Sequence, residues 1–68
     1  MISHKKELGI YHWDTFDNTT FLIGEEDLFE DAIIFIKDRY GSRISDSGAD
    51  RVEIVDRNGN IICRYNVM

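Results

Sequence analysis

The chain contains no proline and a single cysteine in its 68 residues, and each shortage excludes something. Without proline, every strand is free to donate its backbone N–H groups, and no exposed strand edge is defended by that residue against pairing with another chain. Cys63 has no partner, so no disulfide can close within the chain, and the cysteine and histidine sets that hold structural zinc are missing. Long apolar runs are missing too. Met1 to Glu7 is polar and reads neither as a signal peptide nor as a membrane span, so a cytoplasmic location is expected and a membrane partner is not. Basic residues are few. The 8 Lys and Arg face 13 Asp and Glu, a net charge of −5, where dedicated binders of a phosphate backbone carry a basic excess.

Residues 1–68 make one domain, and a chain this short buries only about 60% of its unfolded surface. Such domains lean on a staple or a partner, and with disulfides and zinc gone a second subunit is the ordinary support that remains. Charge is unevenly spread. Residues 1 to 34 hold two lysines against eight acidic residues, a balance of −6, whereas residues 35 to 68 hold six basic against five acidic, a balance of +1. All five arginines lie in the second half.

The longest periodic stretch runs from Glu25 to Tyr40. At 100° per residue, Leu28, Phe29, Ala32, Ile33, Phe35, Ile36 and Tyr40 share one stripe and the acids and Lys37 fill the opposite arc, which predicts an amphipathic helix with one core face. Ile34 projects from the polar arc. Glu25, Glu26 and Asp27 suit the positive end of the helix dipole, and Lys37 and Arg39 the negative end. Gly24 or Asp27 is expected to cap the start, and Gly41 to end it in a left-handed conformation.

The rest reads as strands. One is expected from Leu8 to Thr15, with Gly9 a bulge or kink, and after a turn at Asp17 and Asn18 a second from Thr19 to Ile23. Gly41 to Asp50 is a polar, flexible loop anchored by Ile44. Val52, Ile54 and Val55, a turn at Arg57-Asn58-Gly59-Asn60, and Ile61 to Val67 form the clearest hairpin. Residues 1 to 6 are expected to be a flexible tail. The fold predicted is α+β: a two-layer, four-stranded, mostly antiparallel sheet in the order β-β-α-β-β, with the helix packed on one face and the two hairpins side by side.

Tyr11 and Trp13 on an early strand, the acid-rich helix, and the closing V-x-I-x-D-x-x-G-x-I run of Val52, Ile54, Asp56, Gly59 and Ile61 together make the chain resemble small bacterial α+β domains of unknown function. The resemblance spans most of the chain. It implies the fold and no activity.

No constellation carries catalytic, metal or cofactor chemistry. His4, His12 and Cys63 match no zinc spacing, and ordinary strand and core roles account for His12 and Cys63. Asp56, Asn58 and Asn60 open like a calcium loop, yet glycine comes at the fourth position instead of the sixth and Val67 stands where a bidentate Glu should close it. Asp46, Ser47, Gly48 and Asp50 also lack a closing acid. Ser42, Ser45 and Ser47 have no nucleophile motif around them, and Glu25, Glu26, Glu30 and Asp31 have a structural use at a helix start. An enzyme is not expected, nor is any cofactor.

A surface is the remaining candidate. If Ile10, Phe21, Ile23, Val52, Ile54, Ile61, Cys63 and Tyr65 meet the helix, then Tyr11, Trp13, Leu22, Val55, Ile62 and Arg64 look outward, because one helix covers one face. The expected role is an interaction module that forms a homodimer, or binds another protein, through that face or an edge strand. The alternative is single-stranded nucleic acid, stacked on Tyr11 and Trp13 with Arg51 and Arg64 at its phosphates.

Overall fold

The computed structural model describes residues 3–68, arranged as β1 (Leu8–Asp14), β2 (Thr19–Glu26), α1 (Phe29–Tyr40), a single 3-10 turn (Gly41–Arg43), β3 (Asp50–Val55) and β4 (Ile61–Val67). The strands form one open sheet in the order β2-β1-β3-β4, and every neighbouring pair is antiparallel. The two hairpins therefore lie side by side, joined through β1 and β3. The shortest dimension, 16 Å, has room for a sheet and one helix and no third layer.

Burial follows from that order. The central strands β1 and β3 supply Leu8, Ile10, Val52 and Ile54 to the core, β4 supplies Val67, and the helix adds Ala32, Ile36 and Tyr40 at three- and four-residue spacing. Ile23, Ile33, Phe35, Ile44, Cys63 and Tyr65 pack around this cluster. Ile34 is 63% exposed, as its place in the polar arc requires.

The helix begins four residues later than its periodicity implies. Gly24, Glu25 and Glu26 pair with Ile10, Gly9 and Leu8, so the backbone bonds of the sheet claim residues whose side chains would also suit a helix start. Neither Gly24 nor Asp27 caps it. The N-cap is Leu28 with no side-chain cap bond, and the Asp27 carboxylate instead accepts the Glu7 N–H at 3.3 Å. Glu30 and Asp31 supply first-turn acidity, and Lys37 and Arg39 end the helix on the matching sign. Gly41 closes it at φ 49 and ψ −121, its N–H returning to the Lys37 carbonyl.

Two bulges redirect side chains. In β2, Ile10 opposes Gly24 and Tyr11 opposes Leu22, which leaves Ile23 as the extra residue beside the core. In β4, Ile54 opposes Cys63 and Val55 opposes Ile61, so Ile62 is the extra residue. Ile61, expected beneath the helix, is thereby moved to the position opposite Val55 and is 47% exposed. Phe21, also expected in the core, sits on the outermost strand and is 48% exposed, covering His12 instead.

Residues expected to be loose are held by specific contacts. Within the segment 41–50, Ile44 bridges Val67, the Ser45 N–H donates to the Asn66 carbonyl at 3.0 Å, and the Met68 N–H donates to the Arg43 carbonyl at 2.8 Å. Of residues 1 to 6, expected to be a tail, residues 3 to 6 make the contacts given below, and Met1 and Ile2 lie outside the described residues.

Candidate interaction surface

On the face away from the helix, cross-strand register brings together Tyr11 with Leu22, Trp13 with Thr20 and Arg51, Glu53 with Arg64, and Gly9 with Val55 and Glu25. Tyr11, Trp13, Leu22, Val55 and Arg64 share this face by register, Ile62 being the extra residue of the β4 bulge, but the face is not bare. Residues 3 to 7 run along it as a strap. His4 is buried over Gly9, where a Cβ would collide with the imidazole, and its Nδ1 lies 2.8 Å from the Tyr11 hydroxyl. That hydroxyl also accepts the Ser3 N–H at 2.9 Å. His4 Nε2 is buried and has no hydrogen-bond partner among the described residues, a local weakness in the strap.

Two charged side chains clamp the strap's backbone. The Glu25 carboxylate accepts the N–H groups of Lys5 and Lys6, and these two bonds, Lys5 first, hold its pKa below the ordinary carboxylate range. Arg57, in the β3–β4 turn, donates to the carbonyls of His4, Lys5 and Lys6. The turn that presents Arg57 is itself fixed by Asp56, whose carboxylate accepts the N–H groups of Asn58 and Asn60 at 2.9 Å each. The bond from Asn60, then that from Asn58, lowers the Asp56 pKa. A hairpin turn thus accounts for the residues that resemble a calcium loop.

The remaining outward residues are partly engaged. The Arg51 guanidinium stands 4.6 Å from the Trp13 ring centroid, and Arg64 Nε donates to Glu53 at 2.9 Å. Openness lies instead at the margins. Ile61 and Ile62 are 47% and 46% exposed at the start of β4, and β4 from Ile61 to Tyr65 has no neighbour on its outer side among the described residues. Beyond Tyr65 that side is taken by Arg43, Ile44 and Ser45. At the opposite edge, β2 pairs only with β1 among the described residues. Phe16, at the tip of the β1–β2 turn, is 95% exposed, a feature sequence reading passes over although an aromatic in a four-residue turn has nowhere to be buried.

A second polar cluster joins three elements on the helix side. His12 Nε2 donates to Asp50 at 3.0 Å, the Tyr40 hydroxyl donates to His12 Nδ1 at 2.6 Å, and Thr15 donates to Asp50 through its N–H and hydroxyl at 3.2 and 3.1 Å. Phe21 stacks on the imidazole, with centroids 5.8 Å apart. The bond from His12 is the chief reason that the Asp50 pKa is lowered, with Thr15 adding to it. With Tyr40 buried and every ring nitrogen of His12 committed, the cluster is a latch between the helix end, β1 and β3. Its His12, Tyr40 and Asp50 are 10 to 38 residues apart in sequence, and only the alternation that turns His12 toward the helix hints at it.

Among the described residues, no group of three or more His, Cys, Asp or Glu is placed to hold a metal ion, and no helix is long and apolar enough to cross a membrane. Compared with protein-family models, curated proteins and solved structures, the chain matches none.

Proposed function

We propose that the protein is a non-catalytic interaction module that forms a two-fold homodimer by antiparallel pairing of β4 with β4 of a second copy. The observation that carries this reading is the pair of half-exposed isoleucines, Ile61 and Ile62, on an edge whose outer side has no partner through Tyr65 among the described residues. Charge points the same way. Residues 50 to 67 balance Asp50, Glu53 and Asp56 against Arg51, Arg57 and Arg64, while residues 8 to 26 carry four acids and no Lys or Arg. Because the sheet order puts those hairpins on opposite flanks, pairing through β4 joins the neutral sides of two molecules that are acidic as a whole. The edge is preferred to the outer face because the strap already occupies part of that face.

Val55, Ile62 and Arg64 lie next to this edge and carry over to the dimer from the residues first singled out, whereas Tyr11, Trp13 and Leu22 are farther from it. A nucleic-acid role for Tyr11, Trp13, Arg51 and Arg64 ranks second, since it requires Arg51 to leave the Trp13 ring and Arg64 to leave Glu53. A cytoplasmic location belongs to the same proposal and rests on the lone cysteine. Sedimentation equilibrium tests the reading: the wild-type chain dimerises with rising concentration, and Ile62→Lys, which puts a charge into the pairing edge, stays monomeric. A wild-type monomer at millimolar concentration, or an unaltered Ile62→Lys dimer, contradicts it.

A further inference from the structure

The second free edge of the sheet differs from the first in charge, and that difference fits another occupant. We propose that β2 docks an extended, lysine- or arginine-bearing segment of a different chain, added to the sheet as a fifth strand beside Thr19 to Glu26.

Three observations converge on this strip. First, β2 bonds to β1 on one side and has no strand on the other among the described residues. Backbone donors and acceptors there are open to strand addition. Second, residues 7 to 36 contain eight acidic residues and no lysine or arginine, so β1, β2 and most of α1 present one sign of charge. Some of that charge is engaged: Asp14 accepts the Phe16 and Asp17 N–H groups, Glu25 holds the strap, and Asp27 takes the Glu7 N–H. Glu26, Glu30 and Asp31, at the end of β2 and on the helix that follows, have no hydrogen-bond or ion-pair partner among the described residues. Third, apolar side chains accompany the acids. Phe21 is half-exposed on the strand, and Leu28 and Phe29 are half-exposed where β2 hands over to the helix.

Charge selects the occupant. A second copy of this chain would bring its own acidic β2 flank or, through β4, a strand that carries only Arg64, already paired with Glu53. A segment that alternates basic and apolar residues instead turns its cations to the helix side, where Glu26, Glu30 and Asp31 lie, and its apolar side chains to the outer face beside Leu22, while its backbone completes the ladder. This inference does not rest on the β4 dimer.

The test uses 15N-labelled full-length protein, both wild type and Ile62→Lys, so that loss of self-association and loss of β2 docking are read separately. The probes are capped eight-residue peptides: alternating Lys and Val, alternating Glu and Val, and alternating Lys and Pro, the last of equal charge but with half its N–H donors removed. The expected result is amide shifts confined to Thr19–Glu26 and the start of α1 with the Lys-Val peptide, weaker by about tenfold when salt is raised from low to physiological strength. The Lys-Pro peptide binds at least about tenfold more weakly than Lys-Val, as strand pairing requires, and the Glu-Val peptide does not bind. Combined Glu30→Lys and Asp31→Lys substitution, both at exposed positions, with Glu26→Gln at its half-buried position, abolishes the shifts. Equal binding of Lys-Val and Lys-Pro, shifts centred on β4 or the outer face, or no shift at low salt overturns the proposal.

Discussion

His12 is the residue on which the upper end of the molecule turns, because its two nitrogens join a buried phenol to a carboxylate across three elements. Replacing it by alanine strands the Tyr40 hydroxyl without an acceptor and removes the cover that Phe21 stacks on, so His12→Ala should cost about 1–3 kcal/mol, the range for a buried group left unsatisfied; urea unfolding measures it. Asp50 titrates below its ordinary value because the His12 and Thr15 donors favour its anion. A carboxyl with a lowered folded pKa stabilises the fold above the ordinary carboxylate range, and that contribution is lost as pH falls through the lowered value. The unfolding midpoint should therefore drop as pH falls below the ordinary carboxylate range, more shallowly in Asp50→Asn. At Gly9 the argument is spatial. A Cβ there meets the His4 ring, so Gly9→Ala should release residues 3 to 7 and leave the core in place. Amide exchange at Lys5 and Lys6 should speed up while exchange at Ile54 stays slow.

Among the elements, the helix and the closing hairpin were legible before any coordinates, since periodicity decides the first and Asn58-Gly59 with alternating valine and isoleucine the second. The helix start was not. Glu25 and Glu26 suit a helix start as well as the end of a strand, where Glu25 faces the strap, and only pairing with β1, a contact between distant residues, decides for the strand. The bulge that exposes Ile61 likewise has no local signature, because two isoleucines in a row suit either face. Strap and latch were hidden for a related reason: His4 with Tyr11 and Arg57, and His12 with Tyr40 and Asp50, meet only once the sheet order is set. The end of the helix was legible. Gly41 holds a positive φ that side chains with a Cβ avoid, and open space around it means that strain alone is tested there. Gly41→Ala should destabilise the fold by about 1 kcal/mol or more without changing the core, as thermal unfolding with an unchanged near-ultraviolet spectrum would show.

For the molecule as a whole, the arrangement of hairpins converts a charge gradient along the sequence into one across the sheet, from an acidic β2 flank to a neutral β4 flank. A sheet with two alike, sticky edges polymerises, whereas one with a single self-complementary edge closes at two copies. Repulsion between β2 edges and attraction between β4 edges therefore predict a dimer and no larger assembly. The most direct measurement is an isotope-filtered nuclear Overhauser experiment on a mixture of labelled and unlabelled chains. The account predicts intermolecular contacts between the strands running from Ile61 to Tyr65 of the two copies; contacts centred on Trp13 and Leu22, or none at millimolar concentration, would contradict it.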